Sequence, residues 1–320
     1  MSVRLAAGPH EPEPGGITST SDHGLRVDGL AKNFGPVQAL RGVSFSVEPG
    51  EVFGYLGPNG AGKTTTLRIV VGLVRATGGT VRLFGRSPQD PRSREQLGFL
   101  PGDLHLYGDL TARQLLDYFA RFRPAQTPRQ RAELIERLGL EVTVLPRRVK
   151  FLSHGTRQKL GLIVAMQHDP ALLLLDEPSN GLDPLVQQSF REIVRDFASR
   201  GRSVLVSSHV LSEVEVICQR VAILRQGEIV ALETIEQLRA NVVRRLTVHF
   251  EKAVPEQLLK LDAVTRSETD GSTATLWVRG DLNPLLRALA DARVQDFVFP
   301  EPDLEDIFLS YYRSAPVSNA

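Results

Sequence analysis

A single lysine stands behind a run of glycines in Gly57-Pro58-Asn59-Gly60-Ala61-Gly62-Lys63-Thr64-Thr65, which matches the spacing G-x-x-x-x-G-K-[ST]. An apolar stretch, "EVFGYL", precedes it and another, "TLRIVVGL", follows, so the motif sits between an expected strand and an expected helix. The chemistry that fits is polyphosphate binding. Glycines let backbone N–H groups turn inward and approach phosphate oxygens, and a helix N-terminus adds unpaired amides and the positive end of its dipole. Lys63 is then expected to neutralise the β- and γ-phosphates, and the Thr64 hydroxyl to ligate Mg²⁺. A phosphate loop by itself does not separate a kinase from a GTPase or a transport ATPase. The deciding half lies in "ALLLLDEPSNGLDP", where a short apolar strand ends in Asp176 and Glu177. That order places one carboxylate beside the metal and a second one residue on, where it can take a proton from attacking water.

These residues need a frame of buried parallel strands, and the pattern supplies one. "ALLLLDE" and "RSVLVSSH" read as short buried strands, and "PLVQQSFREIVRDFASRG" as a helix closed by Gly201. A hairpin is expected around Gln226 and Gly227. Strands joined by helices imply an α/β core with a parallel sheet. From "LRVDGLAKNF" to "QALRGVSFSVEPG" the apolar residues alternate, the signature of antiparallel strands leading into that core. Between Leu104 and His168 the spacing lengthens to helical: "TARQLLDYFARF" and "TPRQRAELIERLGL" suit amphipathic helices, the second with Thr127 as N-cap, Pro128 at the first helical position and Gln130 three on from the cap. Past residue 240 the order reads β-α-β-β-α-β, the ferredoxin-like arrangement, with an Asp270-Gly271 turn and Asn283 capping a helix ahead of Pro284. The expected division is therefore a disordered tail at 1–24, a nucleotide-binding domain at 25–240 with a helical insert at about 104–168, and a small α+β extension at 241–315.

The totals exclude some functions. Net charge is +1 over 320 residues, so no global field draws the chain to nucleic acid, and the basic stretches "RPAQTPRQR" and "PRRVK" read as solvated surface. The single cysteine, Cys218, cannot form an internal disulfide and reads as a small packed apolar residue in a reducing compartment. Neither a secretion signal nor 18 consecutive apolar residues is present, so a membrane span is not expected.

Together "GPNGAGKTT", "LSHGTRQKLGL", "LLLLDEPSNGLDP" and "SSH" resemble, in that order, the motif set of ABC transporter ATP-binding subunits over about residues 25–235. The resemblance implies a Mg-ATP-dependent ATPase in which Phe34 stacks on adenine, Asp176 holds Mg²⁺ through water, Glu177 is the general base and His209 contacts the γ-phosphate. It further implies that Ser153 and Gly155 face the nucleotide of a second subunit, in a homodimer or with a paired ATPase subunit, and that the loop at Asp183 communicates between the two sites. Two departures stand out. Gly102, in "GFLPGDLHLYGDL", occupies the place of a glutamine, with Asp103 or water as its substitute. His154 and Thr156 stand where glycine and glutamine are common in the signature loop. The closing "PEPDLEDIFLSYY" is similar to the C-terminal extension of ATPase subunits serving ABC-2-type exporters, including the drug and antibiotic resistance group. It also reads as a helix capped by Asp303 that buries Leu304, Ile307 and Phe308. The implied setting is the cytoplasmic face of the membrane beside integral permease subunits. Two other readings remain: a soluble ABC ATPase of DNA repair or translation, and an ATP-dependent scaffold with little hydrolysis, which the missing glutamine makes conceivable.

Overall fold

The computed structural model describes residues 24–122, 129–240 and 243–300. Outside them lie the expected tail up to residue 23, the cap assigned to Thr127 and Pro128, and the closing helix read in "PEPDLEDIFLSYY" with its Asp303 cap.

Strand β1 (Leu25–Phe34) pairs antiparallel with β2 (Val37–Val47), and the alternating burial expected of them is seen in β2, where Val43, Phe45 and Val47 face inward. Strand β3 (Val52–Leu56) follows, buried at every position, then helix α1 (Lys63–Val70) and strand β4 (Gly78–Leu83), which returns to the other edge of β1 to complete a three-stranded antiparallel sheet. Strand β5 (Leu97–Leu100) leads to helix α2 (Ala112–Ala120), which opens on a full capping box: Thr111 Oγ1 accepts from the Gln114 N–H and Gln114 Oε1 from the Thr111 N–H. Helix α3 (Arg129–Arg137) is tied to it through Arg131, whose guanidinium donates to Asp117 Oδ1 at 2.6 Å and to the Leu116 carbonyl. Helix α4 (His154–Met166) then runs into strand β6 (Leu172–Asp176).

Helix α5 (Pro184–Ser199), capped by Asp183, turns at Gly201 into strand β7 (Ser203–Ser208). Helix α6 (Leu211–Ile217) and strands β8 (Arg220–Arg225) and β9 (Glu228–Thr234) follow, the last two joined through Gln226 and Gly227, both at positive φ as a tight hairpin requires. The six-stranded sheet has the order β5-β6-β7-β3-β8-β9, parallel except for β9. Its central strands carry no polar face because both faces are covered. Leu173, Leu175, Val204 and Val206 pack with α2, α4 and α5, while Leu172, Leu174, Leu205 and Tyr55 pack toward α1 and the antiparallel sheet. Cys218 sits at the C-cap of α6, buried, and burial pushes its thiol pKa well up.

After helix α7 (Ile235–Ala240) come β10 (Arg244–Phe250), α8 (Glu256–Leu259), β11 (Val264–Asp270), β12 (Thr273–Val278), α9 (Asn283–Ala290) and β13 (Val294–Val298). The strands form a separate antiparallel sheet, β11-β12-β10-β13, with its own core of Leu246, Val248, Leu276 and Leu285 among others. The element order is the β-α-β-β-α-β read from the sequence. One cap differs from expectation. Asn283 is the first residue of α9 and Leu282 its N-cap, because the Asp281 carboxylate accepts from both the Asn283 N–H and its side-chain amide and so fills the capping role. Among the described residues no helix is long and apolar enough to cross a membrane.

Candidate functional site

Three neighbouring parallel strands end at one edge of the six-stranded sheet, and each delivers part of the site. β3 runs into the glycine loop, β6 ends on Asp176, and β7 ends on Ser207 and Ser208; Asp176 registers against Ser207, and Leu56 against Ser208. The carboxyl ends of strands in an open α/β sheet are where ligands bind, since the following loops diverge there and helix N-termini point inward. Parallel pairing in this order is the reason residues 57–65, 176–177 and 207–209 meet although more than 100 positions separate the first from the second.

The loop itself is held by backbone conformation. Gly62, the N-cap of α1, has φ 112°, and an added Cβ would lie 2.8 Å from the Ala39 carbonyl oxygen, so any other residue would be both strained and obstructed. Behind it Lys63 is buried, 5% exposed. Its ammonium donates to the Gly57 carbonyl at 2.6 Å and pairs with Glu177 Oε1 at 3.2 Å. The Thr64 hydroxyl donates to Asp176 Oδ2 at 2.8 Å, and the Ser207 hydroxyl donates to Asp176 Oδ1. Glu177 Oε2 accepts from His209 Nδ1 at 2.8 Å. Lys63, Glu177 and His209 thus form one continuous polar chain, beside the Thr64–Asp176–Ser207 set.

Glu177 adopts φ 50°, the left-handed region that non-glycine residues rarely enter. The bend follows the N–H of Glu177 donating to the Ser207 carbonyl at 3.0 Å, which carries the strand pairing one residue past Asp176 and turns the carboxylate over the loop. Local strain of this kind persists where the surroundings impose it, and active sites are a common place for it.

A cavity of about 360 Å³ opens over these groups, lined by Pro58, Asn59, Gly60, Gly62, Lys63, Thr64 and Thr65 on one side and by Gly102, Asp103, Asp176 and Glu177 on the other. Gly102 lies hard against the Asp176 carboxylate: a Cβ there would sit 3.1 Å from Asp176 Oδ2. Asp103 is exposed and directed to His105, whose Nδ1 is 3.4 Å from Asp103 Oδ1. The donor set suits Mg²⁺, a hard cation that takes hydroxyl and carboxylate oxygens, since Thr64 Oγ1 and Asp176 Oδ2 converge and the buried Glu177 Oε1 makes no hydrogen bond beyond its ion pair with Lys63. The lysine and the loop amides suit the phosphates.

Not every expected residue converges here. Phe34 does not line the cavity; it is 50% exposed, with the Lys32 ammonium 4.7 Å from its ring centre. Ser153 and Gly155 stand apart as well, at the start of α4. Ser153 Oγ caps that helix, accepting from the Thr156 N–H at 3.2 Å, and Asp183 Oδ1 caps α5 at Val186. Sequence reasoning missed Ser207, which orients Asp176, and Gln158, whose amide donates to the Pro178 carbonyl at 3.0 Å and ties α4 to the loop after Glu177. The doubled serine before His209 was a signal for the first; a glutamine inside a helix gives none for the second.

A family model described as ABC transporter matches residues 40–180, the span from β2 through the acidic strand. An uncharacterized ABC transporter ATP-binding protein of Synechocystis is 34% identical over 293 residues, 89% of this chain and 81% of that protein. The Nod factor export ATP-binding protein I of Paraburkholderia xenovorans is 34% identical over 297 residues, 89% of this chain and 95% of its own length. Among solved structures, an ATP binding subunit of an ABC transporter superposes with a TM-score of 0.63 at 30% identity, over 67% of this chain and 91% of that one. The glycine loop, the Asp176–Glu177 strand end and the sheet that joins them are therefore an ABC cassette, and this chain belongs to the ABC transporter ATP-binding proteins. It is an ATP-binding ATPase of that family.

Proposed function

We propose that the chain is the ATP-hydrolysing subunit of an exporter, pairs with a second ATPase subunit around Mg-ATP, and drives separate ABC-2-type membrane subunits from the cytoplasmic face of the membrane. The observation that carries the reading is the convergence of Lys63, Thr64, Asp176 and Glu177 on one cavity. In this reading Lys63 leaves Glu177 for the β- and γ-phosphates, the amides of residues 58–65 hold the phosphate oxygens, and Phe34 packs on adenine. Thr64 and Asp176 would hold Mg²⁺, which when bound would supply neutralisation of the phosphate charge. Glu177, freed from Lys63, accepts the proton of the attacking water while His209 holds its second oxygen and faces the γ-phosphate. Lys63 then stabilises the charge that develops on the transferred phosphoryl group.

Gly102 offers no side chain to the metal or the water, so positioning of the water falls to Glu177 and His209, and turnover is slower than with a glutamine in that place. Ser153 and Gly155 lie outside the cavity of their own chain, which fits a site completed by a partner in a head-to-tail pair. The Nod factor export protein and the closing stretch "PEPDLEDIFLSYY" together support export over import. We assign residues 25–240 to the nucleotide-binding domain and 241–315 to an α+β extension. The surface from Leu104 to Tyr118, which follows Gly102 directly, is the docking face for the membrane subunits; Tyr107 and Tyr118 stack edge to face on it and are exposed.

Two measurements on the purified chain test the reading. Steady-state ATPase rates should be well above background in the wild type and near zero in Glu177→Gln, and equal background rates in both would favour a non-hydrolysing scaffold. Cysteines placed singly along 104–118 should cross-link to a co-expressed membrane permease subunit; no product at any position would remove the docking assignment.

A further inference from the structure

The start of α4 and the loop after Glu177 are joined at three places in succession. Gln158 Nε2, on the second turn of α4, donates to the Pro178 carbonyl at 3.0 Å, and both atoms are buried. Gly155 lies so close that a Cβ on it would sit 2.6 Å from the Gly181 carbonyl oxygen. The His154 ring lies over Gly181 itself: a Cβ on Gly181 would be 2.3 Å from His154 Cδ2 and 2.9 Å from Nε2, so the imidazole fills the space that any side chain at 181 would need. Gly181 has φ 76°, which fixes the loop in a turn that only glycine adopts without strain. The two segments cannot slide past each other without breaking this packing, because close-packed contacts are bistable and do not deform smoothly.

We infer that His154 is a positioning residue whose ring fastens the signature loop to the loop that carries Glu177, so that the two ATP sites of a pair act together. The inference rests on the paired-subunit reading given above. The fastened helix end presents Ser153 and Gly155 to the partner's nucleotide, while the fastened loop begins at the general base of the chain's own site. Closure of α4 on the partner's nucleotide therefore presses on Gly181 and, through Pro178, on the strained backbone of Glu177. Binding at one site sets the base at the other. A glycine at 154 would leave the hydrogen bond of Gln158 and remove the ring contact. The ring acts here by its volume, and no ring nitrogen of His154 makes a hydrogen bond among the described residues.

The test uses the full-length chain with Mg-ATP in steady-state hydrolysis. Wild type should give a Hill coefficient approaching the ~2 that two coupled sites allow. His154→Gly should bring it to about 1 and lower kcat about fivefold, with KM changed less than about twofold, the split expected when base placement and not nucleotide affinity is disturbed. His154→Phe, which keeps a ring and loses both nitrogens, should restore cooperativity. The inference is overturned if the wild-type coefficient is already about 1, if His154→Gly keeps the wild-type value, or if His154→Phe behaves like His154→Gly and so places the effect in the nitrogens. Size-exclusion chromatography of Glu177→Gln with and without Mg-ATP separates the two levels. Failure of ATP to pair those chains sinks the paired-subunit reading and this inference with it, whereas pairing that survives in the His154→Gly/Glu177→Gln double variant leaves the outcome to the Hill coefficient alone.

Discussion

The six-stranded parallel sheet and the four-stranded sheet at residues 244–298 solve the same burial problem in different ways. In β3, β6 and β7 every residue is buried, and the chemistry is pushed to the strand ends, where Asp176, Ser207 and Ser208 emerge side by side. In β12 burial alternates, Ala274, Leu276 and Val278 facing the core and Thr273, Thr275 and Trp277 the open side. The open side carries Arg266 and Arg245 beside Trp277 and, among the described residues, brings no set of groups to one point as the strand ends of the first sheet do. A sheet covered on both faces has one place left for a ligand; a sheet covered on one face spreads its polar groups over a surface. The candidate site belongs to the first sheet, and the second should be separable from it.

That contrast can be broken by substitution, and the largest effect should come from the proposed base, Glu177. Glu177→Gln should lower the ATPase rate by about 10²–10⁴-fold, measured as phosphate release, with ATP still bound. Lys63→Ala removes a buried charge that pairs with Glu177. If it reaches the phosphates as proposed, its loss should weaken ATP binding by roughly 100-fold, about 3 kcal/mol, read by titration with a fluorescent ATP analogue.

Core truncations sharpen the comparison. Leu174→Ala in β6 and Leu276→Ala in β12 should each cost about 2–5 kcal/mol of stability in their own sheet. Only the first should also reduce nucleotide affinity, since only β6 positions Asp176. Denaturant melts with and without ATP, followed together with titration, would show this; an equal loss of affinity in both would mean that the two sheets are energetically one unit. Removing the Thr111 hydroxyl should destabilise the chain by about 1 kcal/mol through the lost cap on α2. Arg266→Ala, which deletes a guanidinium resting 4.6 Å from the Trp277 ring centre, should cost about 0.5–1 kcal/mol and leave hydrolysis unchanged.

Much of the site was legible in the chain because its parts are contiguous. The glycine loop needs left-handed backbone and a lysine within nine residues, and the acidic pair needs a strand end; both requirements are local and leave a fixed spacing. The hairpin at Gln226-Gly227 was readable for the same reason, as was α5 between its Asp183 cap and Gly201. The cap of α9 was misread because Asp281 and Asn283 are equally good acceptors two residues apart, and which of them turns back is settled by the backbone around them.

By its residue types and spacing alone, the sequence determined that a glycine loop with Lys63 and Thr64 joins a strand to a helix, that a buried strand ends at Asp176 with Glu177 next to it, and that a helix-rich stretch lies between them. Tertiary structure alone decided that β3, β7 and β6 lie in that order, so that Lys63 reaches Glu177 and Ser207 reaches Asp176. It alone set His154 over Gly181 and Gly102 against Asp176. The reason is range: backbone conformation and capping are fixed within a few residues and leave a mark in spacing, whereas strand order and close approach are fixed by the packing of both sheet faces and leave none.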